Sequence, residues 1–98
     1  MDALAQDKLR RAKRVAVSIR TALVRASGER QEVELRDLSF YGFKARTEIE
    51  PAPGEYVKID LPNLGWVRAR ISWAREGQLG GAFPTAVDVR KCLPAVKP

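Results

Sequence analysis

Two polar groups in the chain have the residue types and spacing to hold an anion that also carries hydrogen-bond donors. The first is Arg10-Arg11-Ala12-Lys13-Arg14. Guanidinium groups bind phosphate through a fork of N–H donors, take the O6 and N7 edge of guanine in the same way, and stack on base planes. The second is Asp37-Leu38-Ser39-Phe40-Tyr41-Gly42. On extended backbone, Asp37 and Ser39 project from one face. A carboxylate accepts from the N1–H and amino group of guanine, and a hydroxyl donates to phosphate. Gly42 permits a positive φ and lets another group approach the backbone closely. Each group alone also has an ordinary explanation. A basic run is commonly a solvated arm, and Asp and Ser at a strand end commonly bond their own backbone.

Positioning the second group requires strands. Val15 to Arg25 alternates, with Val15, Val17, Ile19, Thr21 and Leu23 on one face, and ends at the turn signal Ser27-Gly28-Glu29. Gln31 to Leu38 alternates again, with Val33 and Leu35 inward and Glu32, Glu34 and Arg36 outward, so the two runs read as a hairpin. Phe43 to Arg46 is a short third strand. The stretch Glu50-Pro51-Ala52-Pro53-Gly54-Glu55 cannot continue a ladder and is a loop. Tyr56 to Leu61 then places Val57, Ile59 and Leu61 inward. Trp66 to Ala74 places Val67, Ala69, Ile71 and Trp73 on one side and Arg68 and Arg70 on the other. Leu79 to Phe83 is the last run, and its Gly80-Gly81 pair reads as a bulge or close-packing device.

Thr85-Ala86-Val87-Asp88 has the form of a capping box, with Thr85 as N-cap and Asp88 at N3. It predicts a helix of about two turns to Leu93, stopped at Pro94. Residues 2–14 favour helix weakly, and a lone segment this short is marginal in water. The expected architecture is mainly β: a six-stranded antiparallel barrel with a short C-terminal helix over residues 15–98, and a flexible basic arm over residues 1–14.

Composition narrows the function. A chain of 98 residues is one domain, and its net charge of +6 favours anionic partners. It contains no histidine and a single cysteine, Cys92. Imidazole metal sites, the usual general base and an internal disulfide are thereby excluded. Cys92 reads as a small buried hydrophobe, and Trp66 and Trp73 as core or barrel rim, Trp66 at its turn being the more exposed. No nucleophile–base arrangement, phosphate-binding P-loop or cysteine cluster can be named, so the chain reads as a non-enzyme without a metal. No segment has the apolar length of a signal peptide or a membrane span, so the expectation is a cytoplasmic protein with no membrane partner.

Taken together, the two polar groups are far more specific than either alone. In this spacing the sequence resembles the PilZ domain family, which carries an RxxxR motif at the edge of a six-stranded barrel, followed by a [DN]xSxxG motif. The likeness continues through Pro53-Gly54-Glu55-Tyr56-Val57-Lys58-Ile59, through Val67-Arg68-Ala69-Arg70-Ile71-Ser72-Trp73, and through Leu79-Gly80-Gly81-Ala82-Phe83. The resemblance implies a bacterial effector that binds the second messenger cyclic di-GMP and performs no catalysis of its own. By the same resemblance, Arg10 and Arg14 contact guanine edges and phosphates, with Arg11 and Lys13 as helpers. Asp37 and Ser39 hold guanine and phosphate from the barrel side, and Gly42 leaves room for the ligand. The arm folds over the ligand, and a protein partner outside this chain receives the signal.

Two alternatives remain open. One is a PilZ adaptor that docks on a protein partner without ligand. The other is a barrel for single-stranded nucleic acid, suggested by Phe40-Tyr41-Gly42-Phe43-Lys44, whose aromatics weakly resemble an RNA-recognition strand. That fold needs two helices in a βαββαβ order, which this sequence does not offer, so nucleic acid is the weaker partner.

Overall fold

Six strands form where the alternation places them. They are β1 (Val15–Val24), β2 (Arg30–Ser39), β3 (Gly42–Thr47), β4 (Tyr56–Leu61), β5 (Gly65–Arg75) and β6 (Gln78–Ala82), followed by a 3-10 segment, Val89–Ala95. The computed structural model describes residues 14–95. The strands close into a barrel in the order β1-β2-β3-β6-β5-β4, and every neighbouring pair is antiparallel. The expected six-stranded antiparallel barrel is therefore the fold. Its interior is filled by Leu23, Leu35, Leu38, Phe43, Ile59, Ile71 and Leu79, none more than 1% exposed. Burying each side chain of this size contributes about 1.5–3 kcal/mol.

The barrel closes between β1 and β4 through a short seam, Leu23 opposite Ile59 and Val24 opposite Lys58. Side chains reinforce both ends of it. The Thr21 hydroxyl donates to the Asp60 carbonyl oxygen. The Arg25 guanidinium donates to Glu55 through Nε at 3.1 Å and Nη2 at 3.0 Å, and the Ala26 and Ala52 backbone N–H groups donate to the same carboxylate. The Arg25 hydrogen bond and these backbone donors hold the Glu55 carboxyl below its ordinary pKa.

Strict alternation fails at three places, each a bulge: between Ala16 and Ile19 in β1, between Leu35 and Asp37 in β2, and between Ile71 and Trp73 in β5. A bulge adds one residue and reverses which face the following side chains take. In β2 the consequence is direct. Val33 and Leu35 face inward, so unbroken alternation would send Asp37 and Ser39 into the core. The extra residue at Arg36 turns Leu38 inward instead, fully buried, and leaves Asp37 and Ser39 on the outer face. In β5 the bulge at Ser72 corrects the expected side for Trp73. Ala74 packs against the core, while the Trp73 ring lies over Gly80, where an added Cβ would overlap it.

The C-terminal helix also differs from expectation. Thr85 lies in a bend, and the helical turn starts at Val89, is 3-10 rather than α, and runs through Pro94 to Ala95. The backbone N–H of Val87 donates to the Phe40 carbonyl at 2.8 Å, which commits this stretch to the β2–β3 turn instead of a helix start. Asp88 acts as the cap, its Oδ1 accepting from the Arg90 backbone N–H at 3.2 Å. Val89 and Cys92 are buried under this segment, and burial pushes the Cys92 thiol up from its ordinary pKa, as befits an inert packing group. The arm expected over residues 1–14 lies, apart from Arg14, outside the described residues.

Candidate functional site

The bulges bring one row of residues to the outer surface. Across β1, β2, β3, β6 and β5 the register sets Ala16 beside Asp37, Asp37 beside Lys44, Lys44 beside Gly80, and Gly80 beside Trp73. At the Asp37 end the neighbour is the small, exposed Ala16, while at the Lys44 end the Trp73 ring lies over Gly80. Asp37 is half-buried, and no described group hydrogen-bonds its carboxylate. Alternation alone puts Trp73 on the side of Ile71, and the structure puts its ring on the other, half-buried at the barrel rim. Its outward place could have been suspected from Gly80-Gly81, which clears space for a ring on each face, Trp73 over Gly80 and Phe43 against Gly81. The Arg75 guanidinium lies over Trp73 at 5.5 Å from the ring centroid.

Arg14 joins the barrel beside this row. It immediately precedes Val15, which pairs with Leu38, the neighbour of Ser39 in β2. Arg14 is exposed and enters the barrel at the edge that carries Asp37, Ser39 and Gly42. Arg10 and Arg11 fall outside the described residues.

Ser39 and Gly42 have structural duties of their own. They pair across a two-residue turn, Phe40-Tyr41. Two-residue hairpins favour turns with positive φ, yet neither Phe40 nor Tyr41 adopts one. The turn is instead held from outside. The Ser39 Oγ accepts from the Tyr41 backbone N–H at 3.2 Å and donates to the Gly42 carbonyl at 3.3 Å. The Phe83 and Val87 backbone N–H groups donate to the Tyr41 and Phe40 carbonyls at 2.9 and 2.8 Å. Ser39 is only 6% exposed, so its hydroxyl serves the turn first. Gly42 does not use a positive φ. It is glycine because a Cβ there would overlap the Gly81 carbonyl oxygen of β6, so the close approach expected at this position is made by the neighbouring strand.

A groove of about 1180 Å³ runs from Ala16 and Asp37 along the outer faces of β1, β2 and β3 to Gln78 of β6. Its walls carry Arg20, Arg36, Lys44 and Arg46 among the cations, and Glu34 and Asp37 among the acids. Hydrogen bonding from the Ser18 hydroxyl at 3.1 Å, and then the charges of Arg36 and Arg46, keep Glu34 below its ordinary pKa. With Arg30 added to the cations and Glu32, Glu48 and Glu76 to the acids, the groove sets five cations against five acids, a mixed surface suited to a ligand that carries both anionic groups and hydrogen-bond donors. Of the aromatics in Phe40 to Lys44, Phe43 is 1% exposed and faces the core, Phe40 packs against that core, and Tyr41 is exposed. Among the described residues no group of acidic or cysteine side chains could hold a metal ion, and no helix is long and apolar enough to cross a membrane.

The chain is a closed six-stranded antiparallel barrel entered at Arg14, beside an Asp-x-Ser strand end. The family model for the PilZ domain matches residues 8–93, and the chain belongs to that family. The fold is similar to the crystal structure of the PilZ domain of CeSA from a cellulose-synthesizing bacterium, at 18% identity and a TM-score of 0.67, covering 87% of this chain and 95% of that one. Among curated proteins no significant match is found. PilZ domains are in general receptors for cyclic di-GMP and bind rather than catalyse.

Proposed function

We propose that the chain is a cyclic di-GMP receptor whose arm and barrel edge close together on the ligand. The observation that carries the reading is the register of β1 against β2: Ala16 pairs with Asp37, so the basic arm enters the barrel beside the Asp-x-Ser strand end. In this reading the Asp37 carboxylate accepts from the N1–H and amino group of a guanine. Arg14 and Arg10 take phosphate oxygens and the guanine O6/N7 edge, and Arg11 adds charge nearby. Ser39 acts through the turn it holds, and Gly42 through the strand approach that keeps the turn in place. Ordering a free backbone costs about 1–2 kcal/mol per residue. Arg14 abuts β1 and contributes at little such cost, whereas Arg10 and Arg11 contribute only after the arm, residues 1–14, has closed. The chain is then a bacterial cytoplasmic effector, with no cofactor, whose bound form presents a changed surface to a protein partner.

Calorimetric titration of cyclic di-GMP into the full chain tests this. Saturable binding that weakens with salt is expected. Arg14→Ala and Asp37→Ala each remove hydrogen bonds to a charged group, worth about 1.5–3 kcal/mol, so affinity should fall about 10- to 100-fold with the fold intact. Absence of saturation at high micromolar ligand would sink the proposal.

A further inference from the structure

The opposite side of the barrel carries a second, differently built surface. In the closed ring, β4 and β5 lie across from β3 and β2. Their outer faces hold two exposed aromatics, Tyr56 at 47% and Trp66 at 46%. Each ring has a guanidinium over it: Arg68 lies 4.7 Å from the Tyr56 centroid, and Arg30 lies 5.7 Å from the Trp66 centroid. The register continues the pattern. Arg30 pairs with Val24, Val24 with Lys58, and Lys58 with Arg68, while Arg70 pairs with Tyr56. Among the described residues, Arg30, Lys58, Arg68 and Arg70 make no ion pair, and one acid, Asp60, shares the β4 face beside Trp66.

From this we infer that the β4–β5 face docks an acidic protein segment in which carboxylates alternate with apolar side chains. A guanidinium lying on a ring keeps its edge N–H donors free, and those donors match a carboxylate in paired fashion. Aromatic, guanidinium and carboxylate then form a layered contact. The exposed flanks of Tyr56 and Trp66 supply apolar area between the charges, the composition found at binding hot spots. A stack of nucleic-acid bases is disfavoured, because the ring faces that bases would need are covered by Arg68 and Arg30. The inference does not rest on cyclic di-GMP binding, since Tyr56, Lys58, Trp66, Arg68 and Arg70 all lie outside the groove and Arg30 alone also lines it.

The test uses the uniformly 15N-labelled full chain and a synthetic peptide of alternating glutamate and leucine. A glutamine–leucine peptide and oligothymidylate serve as comparisons. The expected result is a saturable shift of the Trp66 indole and of the Lys58 and Arg68 amides with the glutamate peptide alone. Arg68→Gln should weaken that binding about tenfold, and Arg68→Lys, which keeps the charge but not the planar fork, by an intermediate factor. The proposal is overturned if the Trp66 indole does not shift saturably, or if the glutamine peptide binds equally well. Tighter binding of oligothymidylate to this face would overturn it too.

Discussion

The two sides of the barrel solve the same problem in opposite ways. On the β4–β5 side the first part of each ladder is regular, from Tyr56 opposite Arg70 to Leu61 opposite Gly65. Every outward residue there is polar or an amphipathic aromatic, and every inward one is apolar. On the β2–β3–β6 side, and in the half of β5 that pairs with β6, bulges at Arg36 and Ser72 break the period and deliver Asp37 and Trp73 to the outside. The regular side needs no bulge: its ladder runs unbroken, and side chains such as Thr21 and Arg25 brace only its seam with β1. The bulged side needs glycine at Gly42, Gly80 and Gly81 and a turn tied down by Ser39 and the C-terminal segment. Exposed polar chemistry next to a packed core was obtained there by local irregularity, and the irregularity is braced at several points.

That contrast can be broken first at the glycines. Gly42→Ala forces a Cβ into the Gly81 carbonyl and should cost about 3 kcal/mol by thermal or urea unfolding. Gly65→Ala on the regular side meets open space and should cost only about 1 kcal/mol, from its positive φ of 78°. Equal losses at the two positions would remove the distinction. Next come the tryptophans. Trp73→Ala uncovers Gly80 on the bulged side and should cost about 2 kcal/mol. Trp66→Ala removes an exposed ring and should change stability by less than about 0.5 kcal/mol.

A smaller effect tests the seam between the two sides. Glu55 is favoured as carboxylate in the folded chain, so its contribution is complete above its unfolded pKa of about 4.3. That contribution is lost as pH falls through the depressed folded value. Glu55→Gln should lower stability at neutral pH by about 1–2 kcal/mol and flatten the loss of stability below about pH 4. A variant with an unchanged acid limb would show that Arg25 and Glu55 do not staple the seam.

The same contrast explains what could be read in the sequence. Strands β1 to β6 and most of the core were legible because Val57, Ile59 and Leu61, or Phe43 and Ala45, keep strict alternation. The entry of the chain at Arg14 and Val15 near Asp37 and Ser39 agrees with the family resemblance. The facing of Asp37 was not derivable from period alone, since the count from Val33 and Leu35 turns it inward. The signal was present in Arg36-Asp37, two consecutive polar residues between Leu35 and Leu38, which an unbroken strand with one buried face would not place there. The side of Trp73 was missed for the same reason, since the bulge at Ser72 is invisible to the period. The C-terminal helix was misread because a capping box is a local pattern, whereas the Val87 N–H is taken by Phe40, far away in sequence. Ser39 and Gly42 were expected to serve the ligand directly, and their roles in holding the turn and admitting β6 depend on neighbours no local motif reveals.

The central claim is that the basic arm and the Asp37 edge respond as one site. An amide spectrum of the 15N-labelled chain titrated with cyclic di-GMP tests it most directly. Arg10 to Arg14 and Asp37 to Gly42 should shift with a common saturation curve, while Tyr56 and Arg68 stay in place. Shifts confined to one of the two segments, or centred on the β4–β5 face, would contradict it.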